Sequence, residues 1–184
     1  DGIIRQNREC KSNNELANFW NVVSYLQQDG EIFLESDFRI DYLSGLKTNK
    51  VKDLAFKQPR PILRMRTDRI FMLYKKFSKQ VGDTALPTES LNFYLENSKE
   101  YLGVQNSVRF KNILKGVEVT KELEAGGQKY YKKTSVTKQA LCFDYTELMA
   151  NYNINLNIDM GMPDEEEAGR DNKPPEDKTS PYKF

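Results

Sequence analysis

Cationic and aromatic side chains in close alternation are the groups of this chain whose types and spacing could do chemistry. Arg64, Arg66, Arg69, Lys75 and Lys76 form a first basic block, and Arg109 with Lys111 opens a second. The run "QKYYKK" then sets Lys129, Tyr130, Tyr131, Lys132 and Lys133 side by side, with Lys138 behind them. Lysine and arginine on phosphates release counterions and give affinity without sequence preference. Exposed tyrosines stack on unpaired bases, for about 1–3 kcal/mol per base. If the run is a strand, alternation turns one tyrosine toward the sheet and leaves the other free. A lysine-rich hairpin also has a plainer use, as a solvated edge that resists aggregation.

Catalytic chemistry finds little support. The chain has no histidine, which removes triads with a His base and Cys₂His₂ zinc sites. Gly126-Gly127-Gln128-Lys129 lacks the G-x-x-x-x-G-K-[ST] spacing that wraps phosphates in backbone amides, and Lys133-Thr134 lies too far from Gly127. Glu118, Glu122 and Glu124 fall on an arm expected to be solvated, and Asp144 and Glu147 have no lysine or arginine nearby in sequence. The expectation is a chain that is not an enzyme, with no catalytic residue, no metal site and no cofactor.

The formal charge of +1 over 184 residues hides a strong segregation. Residues 45–80 carry eleven basic side chains against two acidic ones, and residues 103–138 carry eight against three. An acidic stretch, 81–102, separates them. Two basic blocks of this kind fit an anionic partner. Cys10 and Cys142 make no disulfide framework, and Cys142 in an apolar run reads as a buried free thiol, which fits a reducing, cytoplasmic setting. No run approaches a membrane span, no signal peptide opens the chain, and the absence of an initial Met points to a fragment or processed chain.

The elements that must position these groups follow from periodicity. Ser12 or Asn13 caps a helix carrying Leu16, Phe19, Trp20, Val23 and Leu26 inward, up to Asp29-Gly30. Phe38, Ile40 and Tyr42 alternate as a strand, 44–61 reads as a proline-broken loop, and 62–66 alternates again. Thr67 or Asp68 caps a second helix with Ile70, Leu73, Tyr74, Phe77 and Val81 buried, ending at Gly82. Pro87 at a first helical position opens a third, running to Leu102 with Glu89, Phe93, Glu96 and Glu100 outward. From Val108 the pattern is β, turning at Gly126-Gly127 and returning over 128–137. "ALCFDY" is a buried strand, and a short helix spans 146–152. The stretch 161–184 is acidic, Pro-rich and of disordered composition. Helix, turn, helix, strand, long hairpin, strand is the order of a winged helix, and "ELEAGGQKYYKK" would be its wing. The expected fold is α+β: an N-terminal helix and strand segment over 1–61, a winged-helix domain over 62–160, and an acidic tail over 161–184. Acids on the outer side of the third helix argue against sequence-specific reading of a major groove.

R-I-F-x-L-Y-x-K from Arg69, P-T-E-S-L-x-x-Y-L-E-N-S from Pro87 and S-V-R-F from Ser107 carry a resemblance, together with "NFWNVVSYLQQDGEIFLESDFRI" and "ALCFDYTEL". Over about residues 10–160 the chain resembles the region after the ATPase core in primase–helicases of Bacteroides-type mobile elements and phages. Related replicative helicases also append a winged helix. The resemblance implies a cytoplasmic replication protein whose nucleotide site lies upstream, so the partners it implies are DNA, single- or double-stranded, and the upstream ATPase domain. Similar proteins end in an acidic tail with a terminal Phe that docks a replication protein; here Lys183 before Phe184 departs from that pattern. The function expected is that of a non-catalytic DNA-binding module with little sequence specificity. A protein–protein interaction module within a replication complex is the alternative, and no membrane is involved.

Overall fold

The computed structural model describes residues 2–152 and 154–156; the tail expected over 161–184 lies outside them. Helix α1 (Gly2–Gln28) buries Leu16, Phe19, Trp20, Val23 and Leu26. Its backbone runs back past Ser12 and Asn13, the expected caps, because residues 3–11 contain neither Pro nor Gly to stop it. It closes where Gly30 takes φ 74° and the Glu31 amide reaches back to the Leu26 carbonyl at 2.8 Å.

Strands β1 (Phe38–Leu46) and β2 (Leu54–Arg66) pair antiparallel from Phe38↔Met65 to Leu46↔Leu54. The loop expected over 44–61 is therefore the end of β1, a turn, and the first half of β2. Prolines are tolerated there because β2 is flanked on both sides only over Ile62–Arg66; before that one flank is open, and a missing N–H costs nothing. A boundary at residue 61 falls inside this strand.

Helix α2 (Thr67–Gln80) starts directly from β2, with Arg66 at the N-cap in extended backbone and no side-chain cap from Thr67 or Asp68. Asp68 is instead held by the Arg66 guanidinium, at 2.9 Å from Nε and 3.1 Å from Nη2. Ile70, Leu73 and Tyr74 are buried as expected, but Val81 lies past the helix end and is exposed. Helix α3 (Thr88–Glu96) has Pro87 as its N-cap, one position earlier than expected. It stops well short of Leu102, because Asn97 and Ser98 turn their side chains onto the Phe93 and Leu95 carbonyls, both at 2.7 Å.

Strand β3 (Tyr101–Lys111) begins seven residues before the expected Val108. Gly103 sits inside it at φ 113°, where the Thr48 side chain leaves no room for a Cβ. The short hairpin β4 (Ile113–Leu114) and β5 (Val117–Glu118) and the longer hairpin β6 (Thr120–Ala125) and β7 (Gln128–Lys133) follow. The chain then returns as β8 (Ser135–Asp144) and ends in α4 (Tyr145–Tyr152). The main sheet is antiparallel in the order β1-β2-β8-β3, with β8 central.

One face of that sheet packs on α1, α2 and α3 through Phe38, Leu63, Met65, Tyr101, Leu141 and Phe143. Trp20 meets Phe143 edge-on at 5.0 Å, and Phe19 meets Tyr74 at 5.3 Å. The other face holds Leu43, Leu46, Ile62 and Cys142, with Val108, Phe110 and Ala140 beyond them. The sheet curls until its outer strands touch. Arg39 Nη1 donates to the Arg109 carbonyl at 3.0 Å, Lys111 N to the Glu35 carbonyl at 2.8 Å, and Asn49 N to the Val104 carbonyl at 3.1 Å. Among the described residues, no helix is long and apolar enough to cross a membrane.

Candidate nucleic-acid interface

The β6–β7 hairpin turns at Gly126 and Gly127, whose φ values of 60° and 80° are those of a two-residue turn that matches strand twist. Its strands pair from Thr120↔Lys133 to Ala125↔Gln128 and belong to no other sheet. Every residue of β7 is exposed. Tyr130 and Tyr131 are 47% and 71% exposed, so both can reach a partner. The expectation that one of them faces a sheet is corrected, since among the described residues no sheet lies beneath this hairpin.

A three-way junction roots the hairpin. The Asn112 amide donates to the Thr134 carbonyl at 3.1 Å, Thr134 N to the Val119 carbonyl at 3.0 Å, and Val119 N to the Asn112 carbonyl at 2.8 Å. It splits what reads in sequence as one long arm from Val108 to Leu123. The intervening β4–β5 hairpin turns on Lys115 (φ 51°) and Gly116 (φ 82°), and Leu114 and Val117 beside them are 66% and 69% exposed. "LKGV" carried a turn signal that strand periodicity obscured.

Beside the junction lies a cleft of about 290 Å³ lined by Glu35, Arg39, Arg109, Lys111, Glu118, Lys133, Thr134 and Ser135. Arg109 is exposed, its Nε donating to Ser135 Oγ at 2.9 Å. Lys111 Nζ bridges Glu35 at 2.5 Å and Glu118 at 3.3 Å, and Lys133 Nζ meets Glu118 at 2.9 Å. Lys133 and then Lys111 hold the Glu118 carboxyl below its ordinary range. Glu35, with Glu118, raises the Lys111 ammonium above its own. Four cations against two carboxylates leave the cleft net positive. Arg39, which sequence reasoning missed, enters it because the sheet curls.

The first basic block is spent differently. Arg64 pairs with Asp41 at 2.5 Å on the inner side of the curled sheet, and Asp41 also accepts from Arg39 at 3.1 Å. Arg66 holds Asp68, whose carboxyl it lowers. Arg69 meets the buried Asp37 at 2.9 Å. Lys138 lies 3.9 Å from Asp68. Lys75 and Lys76 are exposed on α2, and Lys76 lines a separate groove with Tyr25, Phe77 and Val81. The structure thus brings Arg109, Lys111 and Lys133 together, with Lys129, Tyr130, Tyr131 and Lys132 on the arm above. It does not bring Lys75 or Lys76 to them.

Among the acids, Glu100 is 2% exposed and accepts from Asn151 Nδ2 at 2.5 Å, so it does not face outward from α3 as expected. Asp144, without a basic neighbour in sequence, has one in space: Arg60 Nη2 at 2.7 Å. Comparison with protein-family models, curated proteins and solved structures gives no match.

Proposed function

We propose that this chain is a non-catalytic DNA-binding module of winged-helix type, serving a replicative primase–helicase and gripping the phosphate backbone with little regard to sequence. In this reading α2 and α3 form the helical pair, β3 and β8 the stem, and β6–β7 the wing. The observation that carries it is the β6–β7 hairpin: it stands clear of the sheet, its β7 arm is cationic, aromatic and wholly exposed, and a net-positive cleft opens at its root. Phosphate neutralisation by such an arm is independent of sequence. Glu89 and Glu96 remain exposed on α3, so that helix would be repelled by a major groove, and the wing carries the contact instead. The resemblance to primase–helicases supplies the replicative setting.

Titration of labelled mixed-sequence DNA, as single strand and as duplex, at roughly 50 and 200 mM salt tests the reading, with a log–log slope of about −0.7 per phosphate contact expected for the single strand and about −0.9 for the duplex. Charge reversal of Lys132 should weaken binding to all sequences alike. Loss confined to one sequence, or no binding at either salt, would defeat it. One observation favours the alternative, a protein-interaction module docking on the upstream ATPase domain: the exposed apolar pair Leu114 and Val117 at the β4–β5 tip. In that case Leu114→Ser would abolish partner binding and leave DNA untouched.

A further inference from the structure

We infer that only one side of the wing meets nucleic acid, the side built from Lys121, Leu123, Tyr130 and Lys132, and that its ligand is single-stranded. This rests on the DNA-binding reading and narrows it.

Directly opposed residues of an antiparallel pair share a face, and successive pairs alternate. The register therefore places Lys121 opposite Lys132 and Leu123 opposite Tyr130 on one side. Glu122 opposite Tyr131 and Glu124 opposite Lys129 lie on the other. The two sides differ in charge as well as composition. On the second, Lys129 is held by Glu122 at 3.4 Å, and Lys133 by Glu118 at 2.9 Å. On the first there is no carboxylate, and Lys121 and Lys132 make no ion pair among the described residues. Two like charges directly across a strand pair destabilise it, and a two-stranded hairpin is marginal in water by itself. A polyanion relieves that repulsion. A phosphate chain is the polyanion that also suits Tyr130, because its bases offer ring faces to an exposed aromatic one register pair from the lysines. Paired bases in a duplex are already stacked and offer only their edges, so an unpaired strand is the ligand that uses lysines and tyrosine together.

The test compares the whole chain on an oligothymidylate of roughly 16 nucleotides with a duplex of equal length, by fluorescence anisotropy. The single strand should bind tighter. Tyr130→Ala should weaken it roughly 5- to 150-fold, while Tyr130→Phe retains binding because the ring rather than the hydroxyl stacks. Lys121→Gln and Lys132→Gln should each weaken it and flatten the salt dependence by about 0.7. Tyr131→Ala and Lys129→Gln, on the opposite side, should stay within about twofold of the parent protein, and thermal melts confirm that each variant is folded. Equal losses on both sides, or a duplex bound as tightly and indifferent to Tyr130, overturn the one-sided, single-strand assignment while DNA binding itself stands. Heparin competing as well as the oligothymidylate with no Tyr130 dependence overturns it too. Binding to neither nucleic acid defeats the broader reading and this one with it.

Discussion

At the scale of single residues, the environment of a group decides what its charge is worth. Cys142 is fully buried on β8, and burial pushes its thiol up to about 12. Alkylation at pH 8, mapped to Cys142 by mass spectrometry, should therefore proceed only as fast as the protein opens and accelerate with urea. Rapid labelling of the folded protein would contradict that burial. Glu118 and Asp68 both titrate below their ordinary values of 4.5 and 3.8, the first through Lys133 and Lys111, the second through Arg66. Stability from a lowered carboxyl is present above its unfolded value and is lost as pH falls through the folded one. Acid titration followed by circular dichroism should then show a shallower loss below pH 4.5 for Glu118→Gln than for the parent. The basic residues themselves were legible in the sequence, but their pairing was only partly so. Arg66 and Asp68 are two positions apart, whereas Arg64 meets Asp41 only through the β1–β2 register, which no local pattern announces.

Elements were legible where one signal dominates. Gly126-Gly127 between two polar arms gave the turn of the β6–β7 hairpin, and the apolar spacing of α1 and α2 gave their buried faces. The front half of β2 was not legible, since Pro59 and Pro61 argue against a strand until its open flank is known. The β4–β5 hairpin was hidden because Val117 and Val119 continue the alternation of a longer arm. The turn of the β6–β7 hairpin offers a clean measurement. A Cβ at Gly127 would meet nothing within 4 Å, so Gly127→Ala acts through its φ of 80° alone. It should cost about 1–2 kcal/mol in the hairpin. Because β6 and β7 contribute nothing to the buried clusters, the cost should appear as faster amide exchange over 121–132 with an unchanged thermal midpoint. A fall of several degrees in that midpoint would mean that the hairpin is coupled to the core.

For the whole molecule, the question is which segments stand without the others. A fold confined to 62–160 would keep α2, α3, β3 and β8, but it would lose Leu16, Phe19, Trp20, Val23 and Leu26 of α1 and Phe38 of β1 from the principal core. Each such side chain contributes about 1.5–3 kcal/mol by burial, so the loss is on the order of 10 kcal/mol, comparable with the entire net stability of a domain. The sheet suffers as well, because the remnant of β2 beside β8 would have lost its own partner β1 from Phe38↔Met65 onward. Expressed alone, 62–160 should show no cooperative melt. Excising 120–133 and joining its ends with a short turn should, by contrast, leave the melting temperature within a few degrees of the parent, since that hairpin shares no sheet and buries no core residue. Calorimetry on the two truncated proteins decides between these architectures. A sharp two-state transition from 62–160 would show that the helices and central strands are self-sufficient and that α1 with β1 merely covers them.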